Sequence, residues 1–308
     1  MSELFFEDTA YERIYSSQKL TAENFHALTQ KALFPWLTDA IVDWGVIGCA
    51  LGLLGIFPNP FTFILAVHVL GNRQHALTVL AHDGAHFCLS ANHTLNDFLT
   101  NMFCFFPLGI SVSGYRALHN AHHKYTGTIQ DPELAHKRMK APQWDLPANR
   151  WTILKYALLD MIGGAVHDYI IIVKFSKPSG RKELVYLGLY HLFAVSTLIG
   201  LGLWWVSLVW YFSLVTSFML FFRLRLWLEH QNTPGTLRVQ LKWWQSALLS
   251  PHNAFYHDEH HRYPTVPYHR LPELRASLSG KKPMTLSEAI RGFESAEQVE
   301  SGFPLNVM

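Results

Sequence analysis

Three short runs of the chain carry histidines at spacings that suit a metal centre. "HDGAH" sets His82 and His86 four residues apart. "HNAHH" sets His119, His122 and His123 at offsets of three and four, and "HDEHH" repeats that pattern with His257, His260 and His261. On a helix, residues three and four apart share a face, so each run is expected to aim its imidazoles at a common point. Eight imidazoles exceed what one tetrahedral ion accepts and suit two ions sharing the ligands. Imidazole without thiolate is compatible with iron, zinc, copper or nickel, and ligand type alone does not choose among them. A zinc-protease reading of the first run fails: that chemistry needs Glu after the first histidine, where this chain has Asp83. The shorter carboxylate could instead orient a ligand from behind.

The elements that must hold these runs together are apolar. Of 308 residues, 49% are hydrophobic and only 16% charged, against about a quarter in soluble domains, which points to a membrane protein. A net charge of +2, with no basic run interleaved with aromatics, argues against a nucleic-acid partner. Cys49, Cys88 and Cys104 form no CxxC pair, which argues against a disulfide scaffold, an iron–sulfur site or a zinc ribbon. The start, "MSELFFEDTAYERIY", is acidic and does not read as a signal peptide. Four apolar runs reach the ~20 residues a bilayer crossing needs: 44–57 with its upstream extension, 61–81, 184–203 and 204–222. "PNP" at 58–60 and the glycines at 200 and 202 turn the chain between members of each pair.

Charge placement sets the expected orientation. Apart from Arg73, no Lys or Arg occurs between 32 and 115, and none between 184 and 222. The basic residues gather at 116–182 and 223–291, so those segments are expected on the cytoplasmic side. The apolar stretches 97–113 and 151–175 are interrupted by Pro107 and by Lys155, Asp160, His167 and Asp168. A single crossing by either would put the histidine runs on opposite faces, so both are expected to lie at the interface or re-enter. The expectation is an all-α, multi-pass membrane protein forming one domain over 1–308, with about four transmembrane helices in two hairpins. Its parts are a cytoplasmic segment at 1–32, a hairpin at 33–81, a cap with interfacial helices at 82–183, a hairpin at 184–226 and a cytoplasmic helical cap at 227–308.

Taken together, the three runs resemble the histidine boxes of the membrane fatty-acid desaturase/hydroxylase superfamily of non-haem di-iron enzymes, HxxxH, HxxHH and HxxHH. The flanks "HHKYTGTIQDPEL" (122–134) and "HNAFYHDEHHRYPTVPYHRLPEL" (252–274) are similar to that family as well, and the resemblance runs over about residues 40–275. It implies two iron ions on a cytoplasmic helical cap, O2 as co-substrate and insertion of a double bond into the acyl chain of a lipid. His230 in "RLWLEHQN" looks like the extra ligand that several members carry after the fourth span. Some members have an Asn four residues earlier, where this chain has Leu226. A water-bridged contact would then come from elsewhere, with His252 and Asn253 as candidates. Since no Gly-rich nucleotide fingerprint occurs, the resemblance implies an external electron donor such as ferredoxin or a b-type cytochrome with its reductase. The basic stretches at 174–182 and at Lys281 and Lys282 are candidate docking patches, or simply a solvated face.

Alternatives stay open at this point. Relatives with the same boxes hydroxylate or ketolate carotenoids or other hydrophobic molecules. A membrane metal transporter would need ligands strung along a path through the bilayer, whereas these histidines gather at helix ends. Arg73 and His75 interrupt an apolar run, and ionisable groups at membrane depth are functional suspects. They could hold a substrate's polar head or lie in an extended helix end.

Overall fold

The computed structural model describes residues 20–296, apart from 129, 134–142, 232, 234, 279 and 281. Residues 1–19 and 297–308 of the expected terminal segments, and the Lys281 part of one basic patch, lie outside the described residues.

After a short α1 (Ala22–Leu28), α2 (Leu33–Ile56) runs into the "PNP" turn and returns as α3 (Pro60–Ala85). The turn works because Asn59 caps α3, its side chain accepting from the amides of Phe61 and Thr62, while Pro60 takes the first helical position. Trp36 on α2 is fully buried and donates its ring N–H to the Leu80 carbonyl at 2.9 Å, which locks the pair in register. Burying a side chain of this size contributes roughly 1.5–3 kcal/mol.

α4 (His93–Thr100) continues through a widened turn (Asn101–Phe105) and a short turn (Phe106–Leu108), then bends by 89° into α5 (Val112–Tyr125). α6 (Arg150–Met161) and α7 (Val166–Phe175) form a second bent pair, at 76°. α8 (Arg181–Gly200) and α9 (Trp204–Val215) follow, and α10 (Ser217–His230) extends α9 past a break at Thr216. The remainder is short: β1 (Val239–Gln240), α11 (Trp243–Leu249), α12 (His257–Arg262), α13 (Leu271–Ser277), β2 (Met284–Thr285) and α14 (Leu286–Glu294). β1 and β2 pair in parallel, Val239 with Met284.

Among the described residues three helical stretches are long and apolar enough to cross a membrane: Ala22–Ile56, Arg181–Gly200 and Trp204–His230. If each bent pair also counts as a span the number rises to five. The expected second span, 61–81, forms as α3 but is not one of the three. Asn72, Arg73, Gln74, His75, His82 and Asp83 make it too polar, and α3 is the central helix, packed against α2, α4, α5, α9 and α10. Two glycines let it sit there. A Cβ on Gly71 would fall 2.5 Å from the Phe218 amide nitrogen of α10. One on Gly84, inside "HDGAH", would meet Thr100 of α4 at 2.0 Å. Both contacts are far inside van der Waals range, so only glycine permits these crossings.

Candidate metal centre

The three runs and His230 arrive from four elements. His82 lies in the last turn of α3 and His86 at its C-terminal cap, while His119, His122 and His123 sit on α5. His230 ends α10, and His257, His260 and His261 make up half of α12. They meet in two groups. His82, His86, His119, His123 and His260 form one, and His122, His230, His257 and His261 form the other; within each, one ring nitrogen per residue lies within 4.8 Å of every other.

In the five-histidine group, His119 Nε2 is 3.0 Å from His86 Nε2 and 2.9 Å from His123 Nε2, and His260 Nε2 is 3.1 Å from His123 Nε2. His82 Nε2 is buried without a hydrogen-bond partner, its ring centred 4.3 Å from that of His260. In the four-histidine group, His230 Nε2 is 3.1 Å from His122 Nε2 and 2.7 Å from His257 Nε2. The groups adjoin: the rings of His123 and His261 stack at 4.2 Å across the boundary.

The expectation that each run aims at one point holds for "HDGAH", whose His82 and His86 share a group, and is corrected for the two HxxHH runs. Residues i and i+4 of each HxxHH share a group, His119 with His123 and His257 with His261, while the i+3 residue belongs to the other group. Successive helical residues point about 100° apart, so the adjacent pairs His122/His123 and His260/His261 face two neighbouring points and stitch the groups together.

Outer contacts fix the rings. His122 Nδ1 donates to Asp131 Oδ1 at 2.9 Å and His230 Nδ1 to the Gly235 carbonyl at 3.0 Å. His257 Nδ1 is 3.4 Å from Glu229 Oε1. With the proton on Nδ1, a neutral ring turns the Nε2 lone pair inward. Burial and the neighbouring imidazoles pull His257, His260 and His261 well below the ordinary histidine value, so these rings are neutral. Lone pairs facing one another at 2.7–3.1 Å repel unless a cation lies between them. Two ligands ~2.1 Å from one ion and at right angles to each other are themselves about 3 Å apart, so the donor set fits metal ions.

The acids of "HDEHH" hold α12 in place. Buried Glu259 accepts from Arg238 Nε at 2.6 Å and from Arg275 at 2.8 and 2.7 Å, and Asp258 accepts from Thr236 Oγ1 at 2.8 Å. Sequence reasoning passed over these anchors, as well as Asp131 and Glu229. The signal was present as a carboxylate in "HHKYTGTIQDPEL" and an Arg–Glu pair inside the apolar run before His230.

Four other candidates lie elsewhere. Asp83 touches no imidazole of either group; its Oδ2 accepts from the Tyr268 amide at 2.9 Å and so ties α3 to the turn after α12. His252 faces acids instead, with Nε2 2.7 Å from Asp43 Oδ2 and Nδ1 3.5 Å from Asp39 Oδ2. Asn253 donates to the Tyr268 carbonyl at 3.3 Å, and both residues have left-handed backbones at φ 50° and 59°. Neither reaches the histidine groups. Arg73 pairs with Asp43 at 2.8 Å, bonds Asn72 and reaches the Ala247 carbonyl at 3.3 Å, so its nitrogens are committed to holding α2 and α11 to α3. His75 is different: fully buried, with neither ring nitrogen hydrogen-bonded.

Residues 56–285 match the family model described as Fatty acid desaturase. The chain belongs to the fatty acid desaturase family. It is similar to the dihydrorhizobitoxine desaturase of Bradyrhizobium elkanii, with 28% identity over 264 residues, 77% of this chain and 74% of that protein. It is also similar to the sn-1 oleoyl-lipid 12-desaturase of Arthrospira platensis, 25% identical over 77% of this chain and 73% of that one. A shorter match, 27% over 128 residues, links it to the sn-1 acyl-lipid omega-3 desaturase (ferredoxin) of Nostoc sp. (strain 36), covering 42% of this chain and 34% of that one. This desaturase-family chain is thus a membrane oxidoreductase of lipid metabolism with a metal-binding histidine site.

Proposed function

We propose that the chain is an oxygen-dependent di-iron oxidoreductase that introduces a double bond into an acyl chain. The observation that carries this reading is the convergence of nine neutral-capable imidazoles into groups of five and four whose Nε2 atoms face each other. His82, His86, His119, His123 and His260 would hold one iron, and His122, His230, His257 and His261 the other. Bound iron supplies the oxidising power, with O2, that no side chain has for an unactivated methylene. The protein's part is to orient the rings through Asp131, Gly235 and Glu229, keep them neutral by burial, and hold the alkyl chain dry beside them. All nine residues must sit on one side of the bilayer, which we assign to the cytoplasm from the basic segments around them. The bent pairs α4–α5 and α6–α7 then re-enter instead of crossing. The name of the Nostoc relative specifies an acyl lipid and ferredoxin, and we extend both to this chain: an acyl-lipid substrate and a separate one-electron donor.

Expression in a host membrane followed by mass spectrometry of its lipids and pigments tests the reading. The expected product is lighter than its precursor by two hydrogens and disappears in His260→Ala. A product heavier by one oxygen would replace desaturation with hydroxylation, and one that gains an oxygen and loses two hydrogens would replace it with ketolation.

A further inference from the structure

Two arginines stand two residues apart on the apolar α10, and they are served very differently. Arg223 is held by acids, although its Nη1 is buried without a partner among the described residues: Asp160 accepts from Nε at 2.5 Å and from Nη2 at 3.0 Å, and Asp168 accepts from Nη2 at 3.1 Å. Arg225 has one partner, Glu229, which accepts from Nε at 2.5 Å. Its two terminal nitrogens make no hydrogen bond among the described residues, although only 8% of the side chain is exposed. A largely buried guanidinium left this way is costly unless something else completes it.

Its surroundings show what that something can be. Arg225 lies within electrostatic reach of His75, His82, Tyr115 and His257, beside both histidine groups, and of a second carboxylate, Glu133. Tyr115 stacks on His119 at 5.1 Å, and its hydroxyl makes no hydrogen bond among the described residues. His75 lies seven residues before His82 on the same face of α3, ~10.5 Å up the helix, with its ring edge on Phe222 of α10. Between α3, α5 and α10 a group of polar side chains with uncommitted donors, flanked by the carboxylates of Glu229 and Glu133, therefore borders the histidine groups. A purely hydrocarbon segment seated there would leave every donor unsatisfied. An oxygen acceptor would satisfy them, and a carboxylate matches the fork of an arginine best.

We propose that Arg225 and Tyr115 form a subsite for the carboxylate or carbonyl oxygen at the head of the acyl chain. The proposal rests on the desaturase reading and deepens it. Arg225 is five residues, ~7.5 Å along the helix, from His230. The reacting carbons are then only a few positions from the acyl head, and the double bond enters the carboxyl-proximal part of the chain. His75 closes the far wall.

The test uses purified, iron-loaded full chain and three probes: hexadecanoic acid, its methyl ester and hexadecane. Wild type is expected to bind the acid at least tenfold more tightly than hexadecane; equal binding of the ester identifies the carbonyl as the recognised group, weaker binding the carboxylate. Arg225→Met should erase that preference while retaining two irons per chain, and Arg225→Lys should keep part of it. Unchanged acid binding in Arg225→Met overturns the proposal. So does loss of iron in that variant, which would make Arg225 a support for His257 through Glu229. A double bond in the methyl-end half of the product also overturns it. The desaturase reading fails separately: iron-loaded protein that keeps the acid preference yet forms no unsaturated product would sink that reading and leave the subsite standing.

Discussion

His260, which is buried, and His252, which is largely buried, lie eight positions apart in sequence, and their surroundings give them opposite character. His260 faces other imidazoles, which together with burial hold it neutral with a lone pair to offer. His252 faces Asp39 and Asp43, and although burial opposes it, hydrogen bonds to those carboxylates push its pKa up to about 9. The first environment makes a ligand and the second makes a cation. Histidine content says little about a metal site until the partners of each ring are known.

Four changes press on this contrast. The largest effect belongs to the ligands: His260→Ala removes a ring that touches His123 at 3.1 Å, and the account expects activity to fall to background with loss of metal from the five-histidine group. Metal content per chain and product yield check it. Next, Asp131→Asn keeps the size of the side chain that holds His122 Nδ1 but weakens its acceptor, so metal affinity should fall about 10–100-fold with the fold intact. Competition with a chelator measures this. Glu259→Gln leaves Arg238 and Arg275 facing a neutral amide, and a broken buried ion pair costs about 3–5 kcal/mol. Thermal unfolding of the variant should show it, and unchanged stability would remove the acids of "HDEHH" from the anchoring role.

The smallest effect lies on the other side of the contrast. The folded pKa of His252 is raised above its unfolded value of 6.5, so its contribution is fully present below pH 6.5 and is lost as pH rises through about 9. The shift amounts to roughly 3 kcal/mol at most. His252→Gln should flatten the stability profile between those pH values and leave metal content unchanged. If the variant loses metal, His252 belongs with the ligands after all.

Eight of the nine clustered histidines were legible because spacing on a helix is a local property, and His230 only through the resemblance to the desaturase/hydroxylase superfamily. Their division was not. The i+3 histidines go to the opposite group because two neighbouring helices supply a second convergence point, which no single run reveals. α2, α8 and α9 announced themselves by apolar length, but α3 did not read as the polar central helix it is. Its glycines and its Arg73–Asp43 pair make sense only against α2, α4 and α10. Asp83 follows His82 directly but points about 100° round α3, toward the Tyr268 amide, and left-handed backbones at His252 and Asn253 turn those two side chains away from the ligands. Asp131 and the Arg225–Glu229 pair were present in local sequence but carry no pattern that marks them, and Glu259 depends on Arg238 and Arg275, 21 and 16 residues away.

Metal analysis of the purified chain, combined with X-ray absorption at the iron edge, tests the pairing of nine rings with two ions most directly. The account predicts two irons per chain in an all-nitrogen-and-oxygen shell dominated by imidazole, with His260→Ala and His257→Ala each losing a different one of the two. A single bound ion, or iron content indifferent to both substitutions, would contradict it.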